Sequence, residues 1–262
     1  MIAPAYAGVE EQLWMWLMAM IRPGAAMLIA PVFGAGSVPL QLRIILSLMI
    51  GVAATSGAGV SIPTDTLVSF SGVMFIIAEV LAGLAMGFAL QVGYAAAFVA
   101  GETLSNAMGL GFASMNDPQT GVSTPVVGQF LSIIATLLLL AMDGHLMLIA
   151  IIVHSYETLP PGNAFLSLAA IEGIIGFGGS LFAMGLLIAL PVGAALILVQ
   201  LVMAMLARSA PAMNLFAVGL PVAVLSGLVL LAATAPVMAE TLIEALTGGL
   251  EQSEMVVTRG RS

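Results

Sequence analysis

Residues 173–207 read GIIGFGGSLFAMGLLIALPVGAALILVQLVMAMLA, without a charged side chain anywhere in the stretch. A helix rises about 1.5 Å per residue, so a run of this length can cross the roughly 30 Å hydrocarbon core of a membrane. Similar uncharged runs, each long enough or nearly so, occur elsewhere in the chain: 23–42, 44–64, 80–101, 118–142 and 209–239. We therefore predict an all-α, polytopic membrane protein with about six hydrophobic helical segments.

The composition supports the same class of protein. Of the 262 residues, 61% are hydrophobic and 7% are charged, whereas soluble domains carry roughly a quarter charged residues. There are only five basic residues, which argues against nucleic-acid binding, and no Cys, which excludes disulfides and thiolate metal sites. We expect one membrane domain over residues 1–262, with a short N-terminal segment at 1–11 and a polar C-terminal tail at 236–262.

The predicted segments are separated by charges and by turns rich in Pro and Gly. The third segment is too long for one straight crossing, so we expect either two helices or a bent one. Arg22-Pro23-Gly24 and Pro191 could break helices, and Pro191 is expected to divide the fifth segment into halves. The segments cover residues 13–32, 44–57, 67–100, 126–153, 168–206 and 215–235.

Small residues at helical spacing indicate close packing between helices. Gly83 and Gly87 form a GxxxG pair, a spacing that lets two helix backbones approach each other in a membrane. The alternative is that Gly is simply common in membrane helices, so that the spacing carries no meaning of its own.

Ionisable side chains within or beside the apolar segments are the candidate functional residues. A charge at the centre of a membrane costs roughly 2.5–3.5 kcal/mol, so each needs a partner or a wet cavity. Two interpretations stay open: structural ion pairs and helix caps, or the lining of a pathway. Arg43 and Arg208 lie at segment ends, and an anchoring role is favoured for Arg43. The set comprises Arg22, Arg43, Glu79, Glu102, Asp143, His145 and Arg208.

Signatures of catalysis are missing from the sequence. It contains neither an HExxH nor a GxSxG pattern, and with two His and no Cys a transition-metal centre is not expected. We therefore predict a protein that is not an enzyme and has no cofactor. A secondary transporter or channel of the inner membrane is the alternative function, because such folds use broken helices and mid-membrane carboxylates. No internal repeat supports it.

A set of short motifs, in order from about residue 12 to 235, resembles the FliR family of flagellar type III export gate proteins, called the SctT family in injectisomes. Each motif alone is weak, and the ordered set is specific. Ala212 departs from the pattern, since the family often has Gln there. The motifs lie at residues 22–23, 31–34, 38–43, 79, 83–88, 100–102, 108–118, 143–146, 159–160, 190–191, 208–216 and 219–221.

The resemblance implies a subunit of the flagellar protein export gate, required for flagellum assembly and located in the bacterial inner membrane at the flagellar basal body. It implies helical hairpins arranged as a FliP-like half and a FliQ-like half. The implied partners are FliP-like and FliQ-like subunits, together with FlhB-like and FlhA-like components, and the substrates are unfolded proteins. Because such a chain sits among sister subunits, its apolar segments could face protein as well as lipid.

The resemblance also assigns a role to one loop. Residues 108–118 correspond to the plug that projects into the export channel, with Gly for mobility and apolar side chains for sealing. The alternative is an ordinary interhelical loop that packs on its own protein. The plug residues implied by the resemblance are Met108, Gly109, Gly111, Phe112, Met115, Asp117 and Pro118.

Overall fold

The computed structural model describes residues 7–58, 69–111, 125–162, 164–209 and 215–259, and within these ranges it contains helices and no strand. The predicted all-α class is confirmed. The helices are α1 (Ala7–Ala19), α2 (Ile21–Ile29), α3 (Leu40–Ala58), α4 (Phe70–Ala107), α5 (Val126–Ala141), α6 (Gly144–Thr158), α7 (Leu168–Gly179), α8 (Leu181–Ser209) and α9 (Leu215–Arg259).

Five stretches of the described residues are long and apolar enough to cross a membrane. A sixth is added if α5 and α6 together form one broken span. The prediction of a polytopic membrane protein with about six hydrophobic segments is therefore confirmed by helix length and composition. The five stretches are Gly8–Ile29, Leu40–Gly57, Phe70–Ala107, Leu168–Ser209 and Val218–Thr258.

The first predicted segment is broken at Met20, just before the expected Arg22-Pro23-Gly24 site. α1 ends at Ala19 and α2 begins at Ile21, so Pro23 lies in the first turn of α2. The backbone nitrogens of a first turn have no partner within their own helix, and Pro is tolerated there because it removes no helical hydrogen bond. Pro23 therefore follows the break and does not interrupt α2.

The prediction that Pro191 divides the fifth segment was wrong. The break lies at Ser180, between α7 and α8, and Pro191 lies inside α8. Gly176, Gly178 and Gly179 precede the break, and each Gly in a helix interior costs about 1 kcal/mol relative to Ala. The helix therefore ends where glycine accumulates, while the apolar residues around Pro191 continue it.

Two helices are longer than the sequence indicated. α4 is one continuous helix of 38 residues, so of the two expectations, two separate helices or one bent helix, the first was wrong. α9 has 45 residues and runs through the predicted polar tail as far as Arg259. The fourth predicted segment is instead divided, because Asp143 adopts a left-handed conformation with φ of 56° between α5 and α6.

The chain divides into two compact units. Unit 1 comprises Met1–Val92, Leu140–Gly178 and Thr247–Ser262, and unit 2 comprises Gly93–Leu139 and Gly179–Leu246. The helices α4 and α9 each contribute residues to both units. The single domain over residues 1–262 stays a prediction, as does the division into a FliP-like and a FliQ-like half.

Unit 1 contains backbone-to-backbone helix contacts that depend on glycine. A Cβ added at Gly83 would overlap the Arg22 carbonyl oxygen, and one added at Gly87 would overlap that of Ala26. Gly83 and Gly87 are four residues apart on α4, as are Arg22 and Ala26 on α2, so the GxxxG pair of α4 lies directly against α2. This confirms the interpretation of the spacing as a close helix contact.

Unit 2 has a core of small and aliphatic side chains from α4, α5, α8 and α9. Gly101 of α4 and Gly128 of α5 make the closest approach, since a Cβ on Gly101 would overlap the Gly128 backbone. The Tyr94 hydroxyl lies 3.1 Å from the Ser132 carbonyl oxygen and 3.0 Å from the Thr136 hydroxyl. The buried residues that α4 contributes to this core are Ala96, Ala97, Ala100 and Leu104, and Met108, just after the helix, adds a fifth side chain.

Candidate functional site

Arg22 and Glu79 form a buried ion pair in unit 1. The side chain of Arg22 is 0% exposed and that of Glu79 is 1% exposed. Nε of Arg22 donates to Glu79 Oε2 at 2.8 Å, and Nη2 donates to Oε1 at 2.9 Å. This two-point geometry is the strongest arrangement for an arginine and a carboxylate. The structure thus joins two of the residues singled out in the sequence.

The remaining donors of Arg22 are used by α6 and the residue that follows it. Nη1 donates to the Ser155 carbonyl oxygen at 2.8 Å and to the Ser155 hydroxyl at 2.9 Å. Nη2 also donates to the Leu159 carbonyl oxygen at 2.9 Å. A guanidinium has five N–H donors, so all of them have partners here. The positive charge also lies at the C-terminal end of α6, where the helix dipole favours it.

Tyr156 completes the cluster. The guanidinium carbon of Arg22 lies 4.3 Å from the centre of the Tyr156 ring, which is within the range of a cation–π contact. The Tyr156 hydroxyl donates to the Ala19 carbonyl oxygen at 2.7 Å, at the C-terminal end of α1. We call Arg22, Glu79, Ser155 and Tyr156 the arginine cluster. It connects α1, α2, α4 and α6.

The local sequence explains how α2 reaches Glu79. Gly83 follows Glu79 by four residues, so both lie on the same face of α4. Because Gly83 has no side chain, the Arg22 backbone comes into contact with α4 at that point. The guanidinium then extends one turn back along α4 to the Glu79 carboxylate.

Sequence reasoning missed Ser155 and Tyr156. A signal for them was present, since a buried guanidinium has five donors and one carboxylate cannot satisfy them all. Polar side chains near the end of an apolar segment were the available partners. Their position beside Arg22 depends on the packing of α6 against α2, which is not encoded in any local pattern.

Arg43 stabilises the turn between α2 and α3. Its Nη2 donates to the Ala35 carbonyl oxygen at 2.5 Å and to that of Val38 at 3.2 Å. Among the described residues, its buried Nε has no hydrogen-bond partner. Arg43 thus lies in the first turn of α3 and bonds back to the turn that precedes this helix.

The other predicted charges are not gathered into the arginine cluster. Glu102 is exposed on α4, and Arg208 is exposed in the last turn of α8. Asp143 is exposed, and its side chain makes no capping hydrogen bond at the start of α6. His145 is half-buried, and its Nδ1 has no partner among the described residues.

The predicted plug residues are only partly described. Met108 is fully buried in the core of unit 2, and Gly109 follows α4 with φ of 77°. Gly111 is described, and a Cβ there would meet Asn106 Oδ1 at 2.9 Å. Phe112, Met115, Asp117 and Pro118 lie outside the described residues.

Comparison of the sequence with known proteins places the chain in a family. Residues 13–248 match Bacterial export proteins, family 1. The chain is similar to the flagellar biosynthetic protein FliR of Escherichia coli (strain K12), with 33% identity over 88% of this chain and 89% of the relative. It is 36% identical to FliR of Pectobacterium carotovorum subsp. carotovorum, over 80% of this chain and 79% of the relative. FliR of Bacillus subtilis (strain 168) is 29% identical over 82% of this chain and 84% of the relative. With nearly its whole length matched, the chain belongs to Bacterial export proteins, family 1.

Proposed function

We propose that this chain is a subunit of the flagellar protein export apparatus in the bacterial inner membrane, at the flagellar basal body. In this role it helps to form the channel through which unfolded flagellar proteins cross the inner membrane. The observation that carries the proposal is the similarity to proteins named FliR over four fifths or more of the chain. The alternative of a secondary transporter is not favoured by these relatives.

The surface of the chain supports membership in an assembly. The helix α8 exposes large apolar side chains along its length, and Phe182 is 71% exposed while Leu198 is 64% exposed. Such side chains need lipid or another protein as their environment, because water makes their exposure unfavourable. We propose FliP-like and FliQ-like subunits as direct neighbours, and FlhA-like and FlhB-like components as further partners.

The arginine cluster supports a structural role for the buried charges. Every donor of Arg22 is already paired, so the guanidinium has none left for a substrate. Among the described residues, no group of three or more His, Cys, Asp or Glu side chains could hold a metal ion. We propose that the chain acts as a structural component without enzymatic activity.

Residues 108–118 are proposed, on the resemblance, as a plug in the export channel. The described part of this segment is its beginning, where Met108 is anchored in the core of unit 2 and Gly109 ends α4. This arrangement is compatible with a plug, and equally with an ordinary loop.

An in-frame deletion of the gene tests the proposed function. Flagellar proteins secreted into the medium are measured in the parent strain, in the deletion strain and after restoration of the intact chain. We expect secretion and filaments to be lost in the deletion strain and to return with the intact chain. Normal filaments combined with altered uptake of a small solute would instead support the transporter.

A further inference from the structure

At the C-terminal end of α4, the last backbone carbonyls, which a helix normally leaves without intrahelical partners, all accept hydrogen bonds. The last four carbonyls of a helix need partners from outside it or from a tightened final turn. Gly109 adopts the left-handed conformation that Gly provides at many helix ends. Three carbonyls accept from the residues just beyond: Leu104 from Met108 N–H at 2.8 Å, Ser105 from Leu110 N–H at 2.9 Å and Asn106 from Gly109 N–H at 3.0 Å.

The fourth carbonyl, that of Ala107, accepts from a different helix. Nε2 of Gln200 on α8 donates to the Ala107 carbonyl oxygen at 2.7 Å. Gln200 lies in the uncharged stretch 173–207, where the only other polar side chain is that of Ser180. Gln200 is exposed on the surface of the described residues, among the apolar side chains of α8. Where that surface meets lipid or an apolar partner, an unpaired amide and an unpaired carbonyl are both costly, and this one hydrogen bond satisfies a group on each helix.

A second contact holds the same end of α4 in unit 2. The side chain of Met108 is fully buried and occupies the space beside Gly227 of α9. A Cβ on Gly227 would lie 2.6 Å from both Cε and Cγ of Met108, so only Gly leaves room for this side chain. The end of α4 is therefore held by α8 through its backbone and by α9 through Met108.

We propose that Gln200 is a positioning residue that fixes where the chain leaves α4. Its amide holds the final turn of α4 together, and it thereby sets the starting point of the segment that follows residue 111. The importance of that starting point for export depends on the proposed function, because the segment contains the proposed plug. The hydrogen bond itself, and its effect on the end of α4, do not depend on it.

A single introduced Cys can report on this anchor, because the natural chain has none. Leu110→Cys places the reporter just after α4, where the side chain is half-buried against the core of unit 2. Ala135→Cys places a second reporter in the fully buried core of the same unit. The rate of reaction with a maleimide is measured for each reporter in the full-length chain within native membranes.

Gln200→Leu removes the donor while keeping a side chain of similar size. We expect it to raise the labelling rate at position 110 roughly two- to tenfold, the range that one net hydrogen bond implies, and to leave position 135 unchanged. Ser209→Ala is the matched control, since it removes a hydrogen bond from Ser209 Oγ to the Met205 carbonyl within α8 itself. This control should change neither rate.

Two outcomes would overturn the proposal: an unchanged rate at position 110, or an equal rise at both reporters, which would indicate general loosening of unit 2. If Gln200→Leu does not accumulate, Gln200→Asn is judged by the same two reporters, because its shorter side chain withdraws the amide from Ala107. Secretion of flagellar proteins is measured in the same strains. Secretion that does not depend on the chain would contradict the proposed function and leave the labelling result intact.

Discussion

The side chain of Arg22 is the centre of a set of contacts that joins four helices of unit 1. Its guanidinium contacts Glu79 on α4, Ser155 on α6 and the ring of Tyr156, whose hydroxyl in turn bonds to Ala19 at the end of α1. A buried charge of this kind strongly destabilises a fold when one of its partners is lost. The arginine cluster therefore makes the packing of these helices interdependent.

Glu79→Ala should destabilise the chain strongly, because it leaves a fully buried guanidinium without its carboxylate. Breaking a buried pair from one side costs about 3–5 kcal/mol, so the amount of folded protein in the membrane should fall sharply. Thermal unfolding in mild detergent, followed by size-exclusion chromatography, measures the loss.

Glu157→Ala is the control for this prediction. Glu157 pairs with His154 at 3.2 Å, but both side chains are largely exposed, and exposed pairs contribute little. Equal losses in the two variants would show that burial of the Arg22–Glu79 pair does not matter.

The sequence identified Arg22 and Glu79 as residues in need of partners, because a charge in an apolar segment is costly. It did not identify them as partners of each other, since 57 positions separate them. Which charges meet depends on how helices pack, and a single sequence contains little information on distances between helices. The same reason explains why Ser155 and Tyr156 were missed.

At the scale of helices, the contact between α2 and α4 depends on two glycines. Gly83 and Gly87 place the α4 backbone against the carbonyl oxygens of Arg22 and Ala26. Small residues are the means by which membrane helices pack closely, since lipid provides no hydrophobic drive for their association. The GxxxG spacing was readable in the sequence, but its partner helix was not.

Gly83→Ala should push α2 away from α4. The new Cβ would overlap the Arg22 carbonyl oxygen and lie 2.8 Å from Ala25 Cβ, and overpacking of this kind costs about 1–3 kcal/mol. The expected result is a lower unfolding temperature of the purified chain. Gly193→Ala on α8 is the control, because a Cβ there meets nothing within 4 Å. A control that is as destabilised as Gly83→Ala would refute the packing argument.

The C-terminal part of α9 belongs to the packed structure of unit 1. The Ser253 hydroxyl donates to the Met86 carbonyl oxygen at 2.7 Å, and Val256 and Val257 are buried. The sequence suggested a polar tail because Glu residues recur after position 239. All four of these Glu side chains, at 240, 244, 251 and 254, are exposed together with Thr258 on one side of α9, whose other side is buried. The charges thus belong to an amphipathic helix and not to an irregular tail.

Ending the chain after residue 248 should destabilise unit 1, since it removes Ser253, Val256 and Val257 from contact with the rest of the unit. The measurement is the yield of folded protein after extraction in mild detergent. Ending the chain after residue 258 is the control and should leave the yield near that of the intact chain. A full yield from the shorter variant would mean that the end of α9 is dispensable for folding.

At the scale of the whole molecule, the exposed side chains indicate whether the surroundings of the chain are water, lipid or other protein. Large apolar side chains lie exposed on most of the described helices, α8 above all. Composition predicted a lipid or protein environment and could not separate the two, because both favour apolar, glycine-rich helices. The helix break at Met20 was likewise not assigned, since a turn made by an ordinary apolar residue has no strong sequence signal. The break at Ser180 did have a signal, the glycines at 176, 178 and 179, but Pro191 was given more weight.

Deletion of residues 109–115 tests the proposed plug. If the loop seals the channel, the deletion should leave the complex assembled but permeable to ions or small solutes, because hydrophobic constrictions exclude water while they are filled. Sensitivity of the cells to a normally excluded solute measures the leak. Normal assembly with an unchanged permeability barrier would assign the segment to ordinary interhelical packing.

The central claim is that this chain works as one subunit of a flagellar export complex, and co-purification tests it most directly. A tagged chain is expressed from its own locus in flagellated cells, extracted in mild detergent and separated by size-exclusion chromatography. The account predicts that FliP-like and FliQ-like subunits elute with it in one large complex. A sharp peak containing only the chain, as a monomer or homo-oligomer, would contradict it.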